Sequence, residues 1–147
     1  MEKTKPIVEV KSLNLSFGTN HVLKDFSMEV LPGENLAILG KSGSGKSVLI
    51  KCIIKLLIPN SGEIVVLKND ISELDDDQMD NLRAEIGFLF QSNALYDSMT
   101  VRQNLEFPLR RHWTLEERKL NAKDAVLEAL EDVGLSHTID MMPVELS

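Results

Sequence analysis

The chain has 147 residues, of which 43% are hydrophobic and 27% charged, and its formal net charge is −7. This length and composition indicate a globular domain with an apolar core and argue against disorder. The acidic balance argues against a general nucleic-acid binder, because such a protein needs a basic surface to neutralise phosphates. Any bound polyphosphate must therefore be held locally. The single cysteine, Cys52, excludes an internal disulfide and favours a reducing, cytoplasmic compartment.

Alternating apolar and polar side chains predict two half-buried strands near the N-terminus, over residues 13–17 and 26–30. Residues 18–20 supply a turn between them, so the two strands are expected to pair antiparallel. A continuous apolar run follows at residues 36–39, and such a run is typical of a strand that is buried on both faces.

The middle of the chain is predicted to alternate helix and strand. Residues 48–54 fit a helix that packs against a sheet and ends before Pro59. A strand over residues 63–67, a short helix over about residues 75–82 and a buried strand over residues 86–90 complete an α/β portion.

The remainder of the chain is predicted to be mostly helical. Thr114 and Glu117 form a capping box at the start of a long amphipathic helix, and Gly134 provides its stop. The most apolar stretch of the whole chain, residues 52–58, is interrupted by Lys55 and is too short to cross a bilayer. We therefore expect no direct membrane insertion.

Residues 40–47 match the P-loop pattern, in which two glycines separated by four residues are followed by lysine and a hydroxyl residue. Glycines let successive backbone N–H groups approach a phosphate, and the helix that follows directs its N-terminal dipole at the same anion. Lys46 adds a positive charge near the β and γ phosphates, and Ser47 offers its hydroxyl to Mg²⁺. The predicted ATP-binding residues of this loop are Gly40, Lys41, Ser42, Gly43, Ser44, Gly45, Lys46 and Ser47.

The segments that flank this loop resemble the ATPase domains of ABC transporters. The sequences LNLSFG at 13–18, VLK at 22–24 and PGE at 32–34 are similar to the opening of that family. The turn PNSGEI at 59–64 resembles the family's entry into its next strand, and GFLFQ at 87–91 resembles its Q-loop. This resemblance implies an ATPase that uses ATP and Mg²⁺.

Two further site residues follow from the resemblance. It implies that Phe17 stacks on the adenine ring, although a plain core residue at a strand end is the alternative for this aromatic. It also implies that Gln91 reaches Mg²⁺ and the attacking water, so that Lys46 and Gln91 are the expected catalytic residues, and Ser47 and Gln91 the expected metal ligands.

The subfamily is suggested by FQSNALYDSMTV at 90–101 and NLEFPL at 104–109, which look like the Mla-type ATPases that move phospholipids and maintain lipid asymmetry. Methionine importers and other ABC importers share parts of this pattern. The resemblance implies a membrane-spanning permease subunit as partner and a second ATPase domain that pairs head to tail with the first. It also implies a location on the cytoplasmic face of the cell membrane.

The expected fold is an incomplete α/β P-loop NTPase domain. Its parts are an antiparallel β portion over 1–34, a P-loop core with a partial parallel sheet over 35–91, and the start of the ABC helical subdomain over 92–147. The last two residues, Leu146 and Ser147, look like the start of the family's LSGGQ signature. No counterparts of the Walker B aspartate and the catalytic glutamate are found, so these residues are expected to bind ATP without turning it over, whereas the parent protein hydrolyses it.

Two alternatives remain open, another P-loop enzyme and a non-catalytic module. A GTPase or a small-molecule kinase would share the P-loop, although the order of residues 68–70 does not match the base-reading motif of GTPases. A non-catalytic nucleotide-binding module would use the helical residues 100–133 to dock on a partner.

The acidic run at residues 75–77 is expected to be a solvated helix cap and not a metal site.

Overall fold

The computed structural model describes residues 5–89, 94–112 and 115–146, with backbone alone over 110–112 and 115–123. These residues form two units, Met1–Gly87 and Phe88–Ser147. In the first unit, a four-stranded antiparallel sheet packs against two helices. The second unit is helical.

The sheet of the first unit has the strand order β2-β1-β3-β4. Its strands are β1 (Val8–Phe17), β2 (Asn20–Val30), β3 (Ser61–Val66) and β4 (Asn69–Asp70). All three strand pairs are antiparallel, with Phe17 opposite Asn20 at the turn and Val8 opposite Val30 at the far end. The predicted antiparallel pair and the strand predicted at residues 63–67 are therefore confirmed.

Two helices, α1 (Lys46–Ile53) and α2 (Asp76–Ala84), cover one face of this sheet. Their buried side chains and the inward-facing residues of β1, β2 and β3 form a single apolar cluster, because the pleat of a strand directs every second residue to the same face, with one interruption in β1 between Val10 and Leu13. The cluster consists of Val10, Leu13, Leu15, Leu23, Leu49, Cys52, Ile64, Val66, Ile71, Met79 and Leu82. Burial of Cys52 within it raises the pKa of the thiol.

The buried strands predicted at residues 36–39 and 86–90 are not borne out in the described residues. No sheet hydrogen bonds place 36–39 or 86–89 in a ladder, and residue 90 lies outside the described residues. Leu39 is 91% exposed and Leu89 is 97% exposed. The α/β class stands, but the sheet formed by the described residues is antiparallel. A parallel strand can satisfy its backbone only through neighbouring strands, and none is present beside either segment in this part of the chain.

The acidic run before α2 is a helix cap, as expected. The Asp75 carboxylate accepts a hydrogen bond from the Gln78 backbone N–H at 2.8 Å, and the Gln78 side chain accepts one from the Asp75 backbone N–H at 3.0 Å. This reciprocal capping box satisfies two donors at the start of the helix, and Asp76 and Asp77 complement its dipole in the first turn. Across the residues that the structure describes, no group of three or more His, Cys, Asp or Glu side chains could hold a metal ion.

Replacement of Asp75 by alanine is expected to lower the free energy of unfolding by about 1 kcal/mol, because the Gln78 N–H loses its acceptor. Urea denaturation measures this change. Glu73 is also exposed and acidic but lies outside the helix, so Glu73→Ala serves as control and should change the stability by less than about 0.5 kcal/mol. Equal losses for the two variants would show that the capping box contributes nothing.

The second unit contains α3 (Val101–His112) and α4 (Leu115–Asp132), followed by short 3-10 turns at Ser136–Thr138 and Pro143–Glu145. Its small buried core consists of Val101, Val126 and Leu130. Gly134 ends α4 with φ of +71°, which confirms the predicted stop. The predicted capping residue Thr114 lies outside the described residues. In the part of the chain that is described, no helix combines the length and the apolar composition needed to cross a membrane.

Candidate phosphate-binding site

The glycine-rich loop at residues 40–47 leads directly into the N-terminus of α1. Gly45 is the N-cap residue of this helix, with φ of +93°, and no side chain caps the first turn. The first turn also contains no acidic residue. The N-terminal N–H groups and the positive end of the helix dipole are therefore left for an anion.

Two glycines in the loop are required by the backbone conformation. Gly43 has φ of +79° and Gly45 has φ of +93°, in the region that side chains with a Cβ rarely adopt. Gly45 is also buried against β2, because a Cβ built on it would lie 3.0 Å from Val22 Cγ1 and 3.2 Å from the Val22 carbonyl oxygen. The end of the loop therefore rests directly on the second strand.

The start of the loop is folded back over Ser44. A Cβ on Gly40 would lie 2.6 Å from Ser44 Oγ, and the Ser44 backbone N–H donates to the Lys41 carbonyl at 3.2 Å. The chain thus closes a tight turn between residues 40 and 44, which brings both ends of the loop near the N-terminus of α1.

The Lys46 side chain spans this turn. Its ammonium donates to the carbonyl oxygens of Gly40 and Lys41, each at 2.8 Å, and lies 3.4 Å from Ser44 Oγ. The positive charge is therefore fixed beside the uncapped helix N-terminus. Together they have the positive charge and the free donors that a polyanion requires, without a basic surface elsewhere.

Of the predicted metal, base and catalytic residues outside this turn, the structure describes Ser47 and Phe17 but not Gln91. Ser47 is exposed in the first turn of α1, where a hydroxyl suits Mg²⁺, a cation that takes oxygen ligands and usually keeps several waters and phosphate oxygens. Phe17 is 50% exposed at the end of β1. Gln91 lies outside the described residues.

Phe17 is connected to the loop through the β1–β2 pair. Leu15, two residues before it on β1, pairs with Leu23 of β2, and Leu23 Cδ2 would lie 3.2 Å from a Cβ on Gly45. Phe17 therefore lies two residues beyond the cross-strand pair that contacts the loop. The support that Val22 and Leu23 give to the loop was not predicted, because both residues lie before the strand predicted at 26–30 and were noted only as part of the family resemblance at 22–24.

The chain matches a family model and is similar to several known proteins. The family model described as ABC transporter matches residues 23–147. A probable ribonucleotide transport ATP-binding protein of Mycobacterium leprae is 39% identical over 140 residues, which cover 95% of this chain and 40% of the relative. The intermembrane phospholipid transport system ATP-binding protein MlaF of Haemophilus influenzae is 37% identical over 141 residues, with 96% of this chain and 53% of the relative covered.

A solved structure of the ATP-binding cassette MJ0796, a dimer in a post-hydrolysis state bound to ADP and Pi, is also similar. Its TM-score is 0.80 at 31% identity, covering 95% of this chain and 63% of that chain. The chain thus spans 40% of the length of the mycobacterial relative and 53% of the Haemophilus relative.

Proposed function

The chain belongs to the ABC transporter family, and from this premise we propose that its loop at residues 40–47 binds the phosphates of MgATP. The observation that carries this proposal is the Lys46 ammonium, which is held across the loop beside an uncapped helix N-terminus. The whole protein would be the ATP-binding subunit of a transporter and would couple ATP binding and hydrolysis to transport.

Each part of the loop would have a distinct role. The backbone N–H groups of residues 43–48 would donate to the phosphate oxygens, and the Lys46 ammonium would turn from neutral carbonyls towards the more strongly accepting phosphates. Ser47, with Gln91 as the second expected ligand, would hold Mg²⁺, which neutralises charge on the β and γ phosphates when it is bound. Gln91 would also orient the attacking water.

A thermal-shift comparison of MgATP, MgGTP and AMP tests this function. A ligand that binds only the folded state at 100 times its Kd adds about 2.7 kcal/mol of stability. We expect a clear rise in melting temperature with MgATP and a much smaller one with AMP, which lacks the β and γ phosphates. A preference for MgGTP would favour the GTPase alternative, and an AMP shift as large as that of MgATP would contradict a phosphate-binding loop.

Phe17→Ala is expected to weaken MgATP binding about 10-fold, because stacking of a base on an aromatic side chain contributes about 1–3 kcal/mol. Its half-exposed side chain should contribute little to stability. Binding of inorganic tripolyphosphate, which has no base, should be unchanged, and Phe17→Tyr should retain the affinity for MgATP. Isothermal titration calorimetry measures all of these affinities. A loss for tripolyphosphate as large as the loss for MgATP would instead assign Phe17 to the support of the loop.

We propose a permease subunit as the partner, docked on an exposed aromatic pair of the second unit. The rings of Tyr96 and Phe107 lie 5.1 Å apart at 59°, and they are 50% and 45% exposed. Asn104 fixes the Tyr96 backbone, because its side chain accepts from the Tyr96 N–H at 2.7 Å and donates to the Tyr96 carbonyl at 3.1 Å. Such rigid, exposed aromatics are typical anchors of protein interfaces.

Tyr96→Ala should therefore reduce co-purification with the permease by about 10-fold, while the affinity for MgATP stays unchanged. Phe17→Ala provides the opposite control, since it should weaken nucleotide binding but leave permease binding intact at a MgATP concentration that saturates the variant. Permease binding that is the same with and without ATP would favour the non-catalytic interaction module. Retention of full permease binding by Tyr96→Ala would contradict this docking surface.

We further propose that the whole protein pairs head to tail with a second ATPase domain and acts at the cytoplasmic face of the cell membrane in phospholipid transport. Support comes from the dimeric solved structure and from the phospholipid-transport relative. Ribonucleotide and methionine are the competing cargoes, because one relative of similar identity is a probable ribonucleotide transport protein and the sequence also resembles methionine importers. Stimulation of ATP hydrolysis by phospholipid in the reconstituted transporter, but not by methionine or ribonucleotide, is the expected result.

We propose that residues 1–147 bind MgATP without hydrolysing it, and this stays a prediction. The ATPase rate of the 147-residue chain, compared with that of its Lys46→Ala variant, measures it. Equal rates are expected, and a rate well above that of the variant would contradict the prediction.

A further inference from the structure

The C-terminus of α1 is held by a side chain from α2. Backbone N–H groups of residues 54–57 satisfy the carbonyls of Ile50, Lys51 and Cys52 at the end of the helix. Beyond Ile53, the carbonyls of Ile54 and Lys55 accept from the Arg83 guanidinium, from Nε at 3.0 Å and from Nη2 at 3.2 Å. Arg83 therefore continues the capping of α1 where the backbone stops.

Arg83 is itself oriented by its own helix. Its Nη1 donates to the Asp80 carboxylate at 3.0 Å, and both side chains are partly buried. The planar guanidinium thus meets three acceptors in three directions, which a lysine ammonium on a flexible stem does not reproduce. The positive charge also complements the negative end of the α1 dipole.

Lys55, which follows the C-terminus of α1, is held by contacts on several sides. Its φ is +53°, a conformation that is costly for a residue with a Cβ. The Lys55 backbone N–H donates to the Cys52 carbonyl at 2.9 Å, its carbonyl accepts from Arg83, and its Nζ donates to the Leu74 carbonyl at 2.8 Å. A strained residue persists only where its surroundings determine it this fully.

Apolar packing and these polar contacts join the same two helices. Met79 and Leu82 of α2 are buried in one cluster with Leu49 and Cys52 of α1. Packing resists separation of the helices, whereas the directed hydrogen bonds of Arg83 resist a change of angle. A helix of 8 residues is about 12 Å long, so a tilt of about 5° at one end moves the N–H groups at the other by about 1 Å.

We propose that Arg83 is a positioning residue for the nucleotide. It fixes the C-terminus of α1 and thereby the direction in which the N–H groups at residues 46–48 meet the phosphates. This role rests on the proposed binding of MgATP at the opposite end of the helix. Arg83 does not touch the loop residues itself but acts through the axis of α1.

The test is the Kd for MgATP, measured by calorimetry well below the unfolding temperature, for the wild type, Arg83→Gln, Arg83→Lys and Asp80→Asn. We expect about 10-fold weaker binding for Arg83→Gln, and about 3-fold weaker binding for Arg83→Lys and Asp80→Asn. Arg102→Gln is the control, because Arg102 also pairs with an aspartate, Asp140, but in the second unit, and its Kd should be unchanged.

A merely structural role would lower the urea midpoint of the Arg83 variants without changing the Kd of the folded protein, and that result would overturn the proposal. If Arg83→Gln does not fold, Asp80→Asn decides, and a Kd equal to that of the wild type overturns the role of Arg83. Absence of MgATP binding by the wild type would contradict the proposed function itself, and this inference with it.

Discussion

Replacement of Lys46 by alanine is expected to weaken MgATP binding about 100-fold. A hydrogen bond to a charged group contributes about 1.5–3 kcal/mol, and each 1.4 kcal/mol is a factor of 10 in affinity. The variant also removes the bonds from the ammonium to the Gly40 and Lys41 carbonyls, which hold the turn closed. The loop would then have to be ordered by the nucleotide, at a further entropic cost. Calorimetric titration with MgATP measures the loss.

Lys51→Ala is the matched control. Lys51 lies on the same helix, but in its last turn and exposed to solvent, so its replacement removes one positive charge at the end opposite the phosphates. We expect its Kd to stay within about 2-fold of the wild type. Equal effects of the two variants would mean that the net charge, and not the placement of Lys46, determines the affinity.

Replacement of Gly62 by alanine is expected to lower the free energy of unfolding by about 3–4 kcal/mol. A Cβ on Gly62 would lie 2.6 Å from Leu13 Cα and 2.8 Å from the carbonyl oxygens of Lys11 and Ser12. All three atoms belong to the β1 backbone, so no change of rotamer relieves the overlap and β1 and β3 must move apart. Gly62 also has φ of +109°, which adds strain for any side chain.

Gly33→Ala separates the steric overlap with a neighbouring strand from the strain of a positive φ. Gly33 has φ of +76° but no atom within 4 Å of its built Cβ, so this variant should lose only the backbone term, about 1 kcal/mol. Urea denaturation followed by circular dichroism measures both variants. A loss for Gly62→Ala no larger than that for Gly33→Ala would show that the sheet accommodates the extra methyl group.

The sequence predicts those elements that local chemistry determines. The turn at residues 18–20 and the alternation in the strands predicted on either side of it indicate the β1–β2 hairpin, and the acidic run at residues 75–77 indicates the start of α2. Both predicted strands were nevertheless too short, because β1 begins at Val8 and β2 at Asn20. Lys11 and Ser12 are both exposed and Ser12 has φ of +47°, so this irregularity interrupts the period-2 pattern between Val10 and Leu13.

Features that depend on distant partners could not be predicted in the same way. An apolar run such as residues 36–39 indicates a capacity for burial, but the neighbouring strands that would pair with it are not encoded in the run itself. The same limit applies to the site. The motif identifies Lys46. In contrast, the contact of Gly45 with Val22 and the hydrogen bonds from Arg83 to the C-terminus of α1 arise only from tertiary packing.

The most direct test of the phosphate-binding loop is the change in backbone amide NMR shifts of a ¹⁵N-labelled sample on titration with MgATP. We expect the largest changes at residues 43–48, where the N–H groups would donate to phosphate oxygens, and we expect Lys46→Ala to reduce them greatly at the same MgATP concentration. Unchanged shifts at residues 43–48, with the largest changes elsewhere in the chain, would contradict the proposed phosphate-binding loop.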